Sequence, residues 1–214
     1  MLTIVGIGTE IGKTIVSAIL VEALEADYWK PVQSGSVEQT DTQTVQSLVS
    51  PLVTRTFHPE AYKFEAPVSP HFAAQLEGVE IVPAQIALPA TTRPLIIELA
   101  GGLLVPLTPN FLNRHLVRQL GLPVILVANY YLGSINHTLL TAEVLDKYDI
   151  PVAGIIFNGQ SNPATKKVIL DYTGIPLLGE IPFYERLTPQ IIQAEAAKIK
   201  QNLINYNVCE RKNK

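Results

Sequence analysis

The chain alternates short, wholly apolar runs with longer stretches of helical periodicity. Leu2 to Val5 is a brief β-rich run. Leu95 to Ile97, Pro123 to Ala128 and Pro151 to Phe157 are continuous apolar runs, the pattern of strands covered on both faces of a parallel sheet. Tyr28 to Val32 predicts a further short strand. Thr14 to Glu25 reads as a helix, with Ile15, Ala18, Ile19 and Glu22 spaced by three or four. Asn110 stands where it can cap a helix from Phe111 to Leu120, ended by Gly121. Ser134 or Asn136 starts another helix that runs to Lys147. Asn162-Pro163 and Thr188-Pro189 each set a polar cap before proline at a first helical position. This alternation predicts one α/β domain over residues 1–204, a mostly parallel sheet flanked by helices, followed by a polar tail over 205–214.

The segment 33–93 breaks the rhythm. It carries Pro51, Pro59, Pro67, Pro70, Pro83 and Pro89. It reads as loops and short helices over the carboxyl edge of the sheet, where ligands bind in such folds.

Composition narrows the classes. Of 214 residues, 47% are apolar and 16% charged, enough for a sizeable core and unlike a disordered chain. Sixteen basic and 19 acidic side chains give a net charge of −3, without the broad basic footprint of a nucleic-acid binder. Cys209 is the single cysteine, which excludes an internal disulfide framework and a cysteine-cluster metal site. The longest stretch free of Asp, Glu, Lys and Arg, Gln119 to Ala142, contains Pro123, Asn129, Gly133, Ser134, Asn136 and His137. That is a strand, a loop and a helix rather than a membrane span. No basic region precedes the first apolar run, which argues against a signal peptide. The expectation is a cytoplasmic protein with neither membrane nor nucleic-acid partners.

Candidate chemistry begins at Gly6-Ile7-Gly8-Thr9-Glu10-Ile11-Gly12-Lys13-Thr14, between the first strand and the first helix. The glycines let the backbone curl with N–H groups facing inward, and the helix start adds partial positive charge. Lys13 is placed to reach β- and γ-phosphates, and Thr14 to offer its hydroxyl to Mg²⁺. The strict phosphate-loop spacing would begin at position 7, but Ile7 stands there and the first glycine is Gly6. Pro94-Leu95-Ile96-Ile97-Glu98 is an apolar strand ending in an acid, the usual second half of such a site, where the carboxylate holds Mg²⁺ directly or through water. Trp29-Lys30-Pro31-Val32-Gln33-Ser34-Gly35-Ser36 sets a lysine at a strand end before a small polar loop suited to an anion, and Asp41 lies just beyond.

In order along the chain, five motifs resemble the dethiobiotin synthetase family. They are Gly6-x5-Gly12-Lys13-Thr14, Lys30-Pro31-Val32-x-Ser34-Gly35-Ser36, Ser69-Pro70-His71, Leu132-Gly133-Ser134-Ile135-Asn136-His137 and Pro176-Leu177-Leu178-Gly179-Glu180-Ile181-Pro182. The likeness spans most of residues 3–182, and its lysine-proline-valine and glycine-x-isoleucine-asparagine-histidine motifs are more specific than the phosphate loop. It implies a P-loop NTPase-like fold and an ATP- and Mg²⁺-dependent ligase of biotin biosynthesis. Such an enzyme converts 7,8-diaminononanoate and CO₂ to dethiobiotin, through a carbamate and a carbamic–phosphoric anhydride.

By that resemblance Gly8, Thr9, Glu10, Ile11, Gly12, Lys13 and Thr14 cradle ATP, while Asn158 and Pro182 lie on its adenine side. Lys13 and Lys30 neutralise the phosphoryl group and the carbamate. Thr14, Asp41 and Glu98 hold Mg²⁺. Thr9, Glu10, Lys30, Ser34 and Ser69 surround the diamine and carbamate. Gly133, Ser134, Ile135 and Asn136 grip the substrate carboxylate from a neighbouring subunit, so the site is expected at a homodimer interface. His71 and His137 are read as structural or orienting. The chain departs from the family pattern at Leu99, where a glycine is usual, at Gly159, where an acid is common, and in short segments after Lys13 and before Glu98. Two other readings share the loop: a nucleotide-binding sensor, and a partitioning-type ATPase. The latter carries a second lysine early in the loop, where this chain has Gly8.

Overall fold

The computed structural model describes residues 1–35 and 38–205. The first strand, β1 (Leu2–Gly6), leads into α1 (Lys13–Leu24), then β2 (Asp27–Trp29), β3 (Val32–Gln33) and α2 (Asp41–Leu48). Two more two-residue strands, β4 (Phe57–His58) and β5 (Tyr62–Lys63), precede α3 (Pro70–Leu76). The second half runs β6 (Leu95–Gly102), β7 (Pro106–Thr108), β8 (Phe111–Leu112), α4 (Asn113–Leu120), β9 (Val124–Asn129), α5 (Ser134–Lys147), β10 (Val152–Asn158), α6 (Pro163–Thr173), β11 (Leu177–Ile181) and α7 (Pro189–Asn205). Seven of these strands form one sheet in the order β11-β10-β9-β1-β6-β2-β4, with every pairing parallel. The expected α/β architecture with a mostly parallel sheet is therefore present.

Strand alternation sends side chains to two helical layers. Ile4, Ile96, Ile125 and Ile156 pack with residues of α1, α2 and α7 on one face. Val5, Leu95, Ile97 and Val124 pack with residues of α3, α4 and α5 on the other. A smaller cluster joins Leu126, Ile155 and Phe157 to Ile169 of α6. From β1 the chain crosses to β2 on one side, whereas from its neighbour β9 it crosses to β10 on the other, so a crevice opens beyond their carboxyl ends.

Several expected elements change at their ends for identifiable reasons. The strand expected over Tyr28 to Val32 splits in two: β2 pairs with β6 and β4, whereas β3 pairs with β5. Pro31, which has no N–H for a ladder, sits between them. The helix expected from Phe111 begins two residues later, because Phe111 and Leu112 pair antiparallel with β7. Asn110 does not cap it; His115 Nδ1 accepts the Leu112 N–H at 2.8 Å instead. Gly121 ends α4 in the left-handed conformation, as expected. Asn162 caps α6 by accepting the Thr165 N–H at 3.0 Å. The irregular segment holds α2, α3 and a 3-10 turn at Pro83–Gln85. The helix α2 opens with a reciprocal cap between Thr40 and Gln43 that the sequence reading missed. Strand β11, which closes one edge of the sheet, was likewise not anticipated as a strand.

The tail expected from 205 starts inside α7 at Asn205, and its remainder, with Cys209, lies outside the described residues, as does Ser36. No helix among the described residues is long and apolar enough to cross a membrane.

Close strand packing yields a test. A Cβ on Gly154 in β10 would lie 2.4 Å from Leu178 Cγ and 2.8 Å from the Pro176 carbonyl oxygen. Gly154→Ala must therefore push β11 away, at a cost of ~1–3 kcal/mol. Urea unfolding should show a lower midpoint with an unchanged slope; an unaltered midpoint would mean that the edge strand yields freely.

Candidate active site

The loop Gly6 to Thr14 leaves β1 at the crevice and ends as the first turn of α1. Gly12, the residue before the helix, has φ 91°, and a Cβ there would come within 2.0 Å of Asn158 Nδ2. Only glycine meets both demands. The Asn158 amide donates to the Ile11 carbonyl at 3.0 Å and so ties the end of β10 to the loop. Glu10 holds φ 58° without being glycine, a strain that concentrates at functional sites. No side chain caps α1, so its first N–H groups face the loop as an anion-binding terminus. Lys13 Nζ donates to the Gly8 carbonyl at 2.9 Å, which folds the ammonium over the loop. Ile11 contributes backbone only, since its side chain is buried in the core.

A second group of polar side chains meets Lys13 from three other elements. Lys30, just past β2, pairs with Asp41, the first residue of α2, and with Glu98 Oε1 of β6 at 3.0 Å. Thr14 Oγ1 lies 2.9 Å from Asp41 Oδ1 and 3.0 Å from Glu98 Oε1. Tyr28 Oη donates to Glu98 Oε2 at 2.9 Å. Lys13, Lys30, Tyr28 and Glu98 are all buried. Two ammonium groups and two carboxylates meet here, and of the four only Asp41 keeps a partly exposed side chain.

The titrations follow from this arrangement. Burial lowers the Lys13 pKa to about 8, opposed by Glu98 and assisted by Lys30. Burial also acts against the Lys30 ammonium, but the Glu98 and Asp41 carboxylates outweigh it and hold the pKa above its ordinary value. Burial would raise Asp41, yet its ion pair with Lys30 and its bond with Thr14 keep it below the usual carboxylate range.

Thr9, Glu10, Gly12, Lys13, Thr14, Lys30, Ser34, Asp41, Ser69 and Glu98 line one cleft of ≈ 700 Å³. Every one of them was expected at the site from sequence. The Ser34 hydroxyl is buried there without a partner among the described residues, and Ser69 Oγ lies 3.0 Å from His71 Nδ1. A second cleft, ≈ 490 Å³, continues across Glu10, Gly12 and Ile15 to Asn158, Ile181, Pro182, Phe183, Tyr184 and Leu187. Asn158 and Pro182 thus stand on the far side of the loop from Lys30.

Gly133 and Ile135 are elsewhere, in a ≈ 510 Å³ cleft that shares no lining residue with the first. Asn136 beside them is exposed. Ser134 is buried, and its N–H is committed to the Tyr131 carbonyl at 2.9 Å. A single copy therefore does not bring this turn to Lys30.

Sequence reasoning missed Tyr28 and Gln33. Gln33 accepts the Asp41 N–H at 3.0 Å and fixes the start of α2. Tyr28 could have been found, since it lies two residues before Lys30 and positions i and i+2 of an extended segment share a face.

A family model described as an AAA domain matches residues 1–191. Over 200 residues the chain is 50% identical to the ATP-dependent dethiobiotin synthetase BioD of Cytophaga hutchinsonii, covering 93% of this chain and 96% of that one. The chain belongs to the dethiobiotin synthetase family. A second dethiobiotin synthetase, from Agrobacterium fabrum, is 45% identical over 193 residues, 90% of this chain and 91% of that one. Solved structures share the fold at low identity. A plasmid partition protein from Borrelia burgdorferi aligns over 95% of this chain and 97% of its own, with TM-score 0.56 and 12% identity. The septum site-determining protein MinD from Pyrococcus horikoshii, complexed with Mg-ADP, aligns over 100% and 98%, with TM-score 0.53 and 17% identity.

The depressed Lys13 pKa gives a prediction with opposite signs for binding and stability. The folded-state value, about 8, lies below the ordinary 10.5. Between these values the unfolded chain binds the extra proton, so folding stability of the ligand-free protein rises with pH. Over the same range the ammonium is lost, and calorimetric ADP affinity should fall as pH passes about 8. Lys13→Met should flatten the stability slope and remove the affinity; a slope unchanged in that variant would exclude Lys13 as its source.

Proposed function

We propose that this chain is an ATP-dependent dethiobiotin synthetase that acts on 7,8-diaminononanoate and CO₂, with ADP and phosphate as co-products. The observation that carries the reading is the meeting of Lys13, on its phosphate-type loop, with Lys30, Asp41, Glu98 and Thr14 in one cleft. Family membership supplies the substrate class.

The chemistry asks little covalent work of the protein. One substrate amine adds to CO₂, forming an N–C bond and releasing a proton. A carbamate oxygen then attacks the γ-phosphorus, and ADP leaves. The second amine attacks the carbonyl carbon of the resulting anhydride, phosphate departs, and the ureido ring closes. Lys13 and Lys30 carry the positive charge these anions need, held in place in advance by the buried pairings around them. Ser34 and Ser69 offer hydroxyls on the side of the cleft away from Asn158. Asn158 and Pro182 serve the adenine end of ATP.

The donor set fits Mg²⁺. Thr14, Asp41 and Glu98 present only hard oxygen atoms. Among the described residues no group of three or more His, Cys, Asp or Glu gathers. Two carboxylates and a hydroxyl, completed by phosphate and water oxygens, match the habit of this ion. When bound, Mg²⁺ offsets charge on the β- and γ-phosphates. A second copy of the chain completes the site, its Gly133 to Asn136 turn gripping the substrate carboxylate. Exposed Leu132 and Leu140 flank that turn and favour such burial. We place the protein in the cytoplasm, where its co-substrates occur.

Mass spectrometry of a reaction with the diamine, bicarbonate, ATP and Mg²⁺ should find a product that has gained CO₂ and lost water. Bicarbonate labelled with heavy oxygen should deliver label to the released phosphate. Diamine-independent hydrolysis without that product would favour a partitioning-type ATPase, and nucleotide binding without turnover a sensor. Lys30→Ala should lower kcat by about 100-fold or more; near-normal turnover would remove Lys30 from the reaction.

A further inference from the structure

We infer that Tyr28 is a positioning residue for the Mg²⁺ site, acting through Glu98; this rests on the metal role given to Glu98 above. Both residues are wholly buried. They lie on neighbouring strands, since β2 pairs with β6 through Tyr28 opposite Ile96. The two oxygens of the Glu98 carboxylate have different tasks. Oε1 faces the cleft, 3.0 Å from both Thr14 Oγ1 and Lys30 Nζ. Oε2 faces away, and its partner among the described residues is the Tyr28 hydroxyl at 2.9 Å.

A carboxylate held at one oxygen alone can rotate about its last bond. Held at both, it keeps one oxygen aimed at Thr14. The tyrosine is itself fixed, because it belongs to the same buried core cluster as Val45 and Leu48 of α2 and its ring lies 6.4 Å, centre to centre, from Phe57. A carboxylate oxygen accepts, so the Tyr28 hydroxyl is the donor of its bond to Glu98. Hydrogen bonds behind a metal-binding carboxylate typically change metal affinity or activity by about 10–100-fold.

The test reads nucleotide binding rather than turnover. ADP affinity is measured by calorimetry across a Mg²⁺ titration, with thermal midpoints alongside. Tyr28→Phe keeps the ring and removes the donor, and should raise the half-saturating Mg²⁺ concentration about 10-fold, leaving metal-free ADP affinity unchanged. Ile169→Val thins a separate core cluster under α6 without touching Tyr28 or Glu98; it should lower the thermal midpoint and leave the Mg²⁺ titration in place. Added to Glu98→Gln, Tyr28→Phe should shift the titration no further, because both changes act on one group.

A Tyr28→Phe titration that overlays that of the unaltered chain, or full additivity with Glu98→Gln, would overturn the positioning role alone and leave the metal site standing. Should ADP affinity of the unaltered chain ignore Mg²⁺, the metal site and the positioning role fail together. Dethiobiotin formation is a separate measurement, so its failure is distinguishable from either result.

Discussion

The cluster in which Lys30 pairs with both Asp41 and Glu98 is the constraint on which the active cleft depends. A buried charge is tolerable only when it is paired and hydrogen-bonded. Lys30 follows β2, Asp41 opens α2 and Glu98 sits on β6. Thr14 adds the first turn of α1 through its contacts with both acids. The electrostatic requirement thus draws four elements to one point. That point lies where the phosphate loop turns from β1 into α1, so the same pairing that makes burial affordable assembles the chemistry.

The sheet supplies the stage. With β1 flanked by β6 and β9, the loop emerges at the position where neighbouring connections diverge. Asn158 secures the far side of the loop from the end of β10, and Gln33 secures the start of α2. Lys13 shows the other side of this economy. Its ammonium is buried and its pKa depressed, which costs stability in the protein alone but suits the phosphate-binding role proposed for it.

Much of this was legible along the chain, for local reasons. The apolar runs for β6, β9 and β10, the asparagine cap of α6 and the glycine stop of α4 each depend on residues within a few positions of one another. So does the phosphate loop, whose glycines, lysine and threonine are contiguous. Elements that failed did so where strand pairing decided, whether the partner lay a few residues away or far along the chain. Phe111 and Leu112 have the pattern of a helix start, yet Pro106 to Thr108 claims them as a strand. Tyr28 to Val32 looked continuous until β6 and β5 took different parts of it.

The sequence by itself determined the class of the fold, the phosphate loop and, through five ordered motifs, the family and the residues to watch. Those are properties of spacing and residue type, and they survive being read in one dimension. Only the tertiary structure decided that Lys30 lies between Asp41 and Glu98, that Asn158 braces a loop 147 residues away, and that Tyr28 stands behind the Glu98 carboxylate. It also separated the Gly133 turn from Lys30. These relations depend on which strands become neighbours and on which faces their side chains emerge, and no local periodicity encodes either.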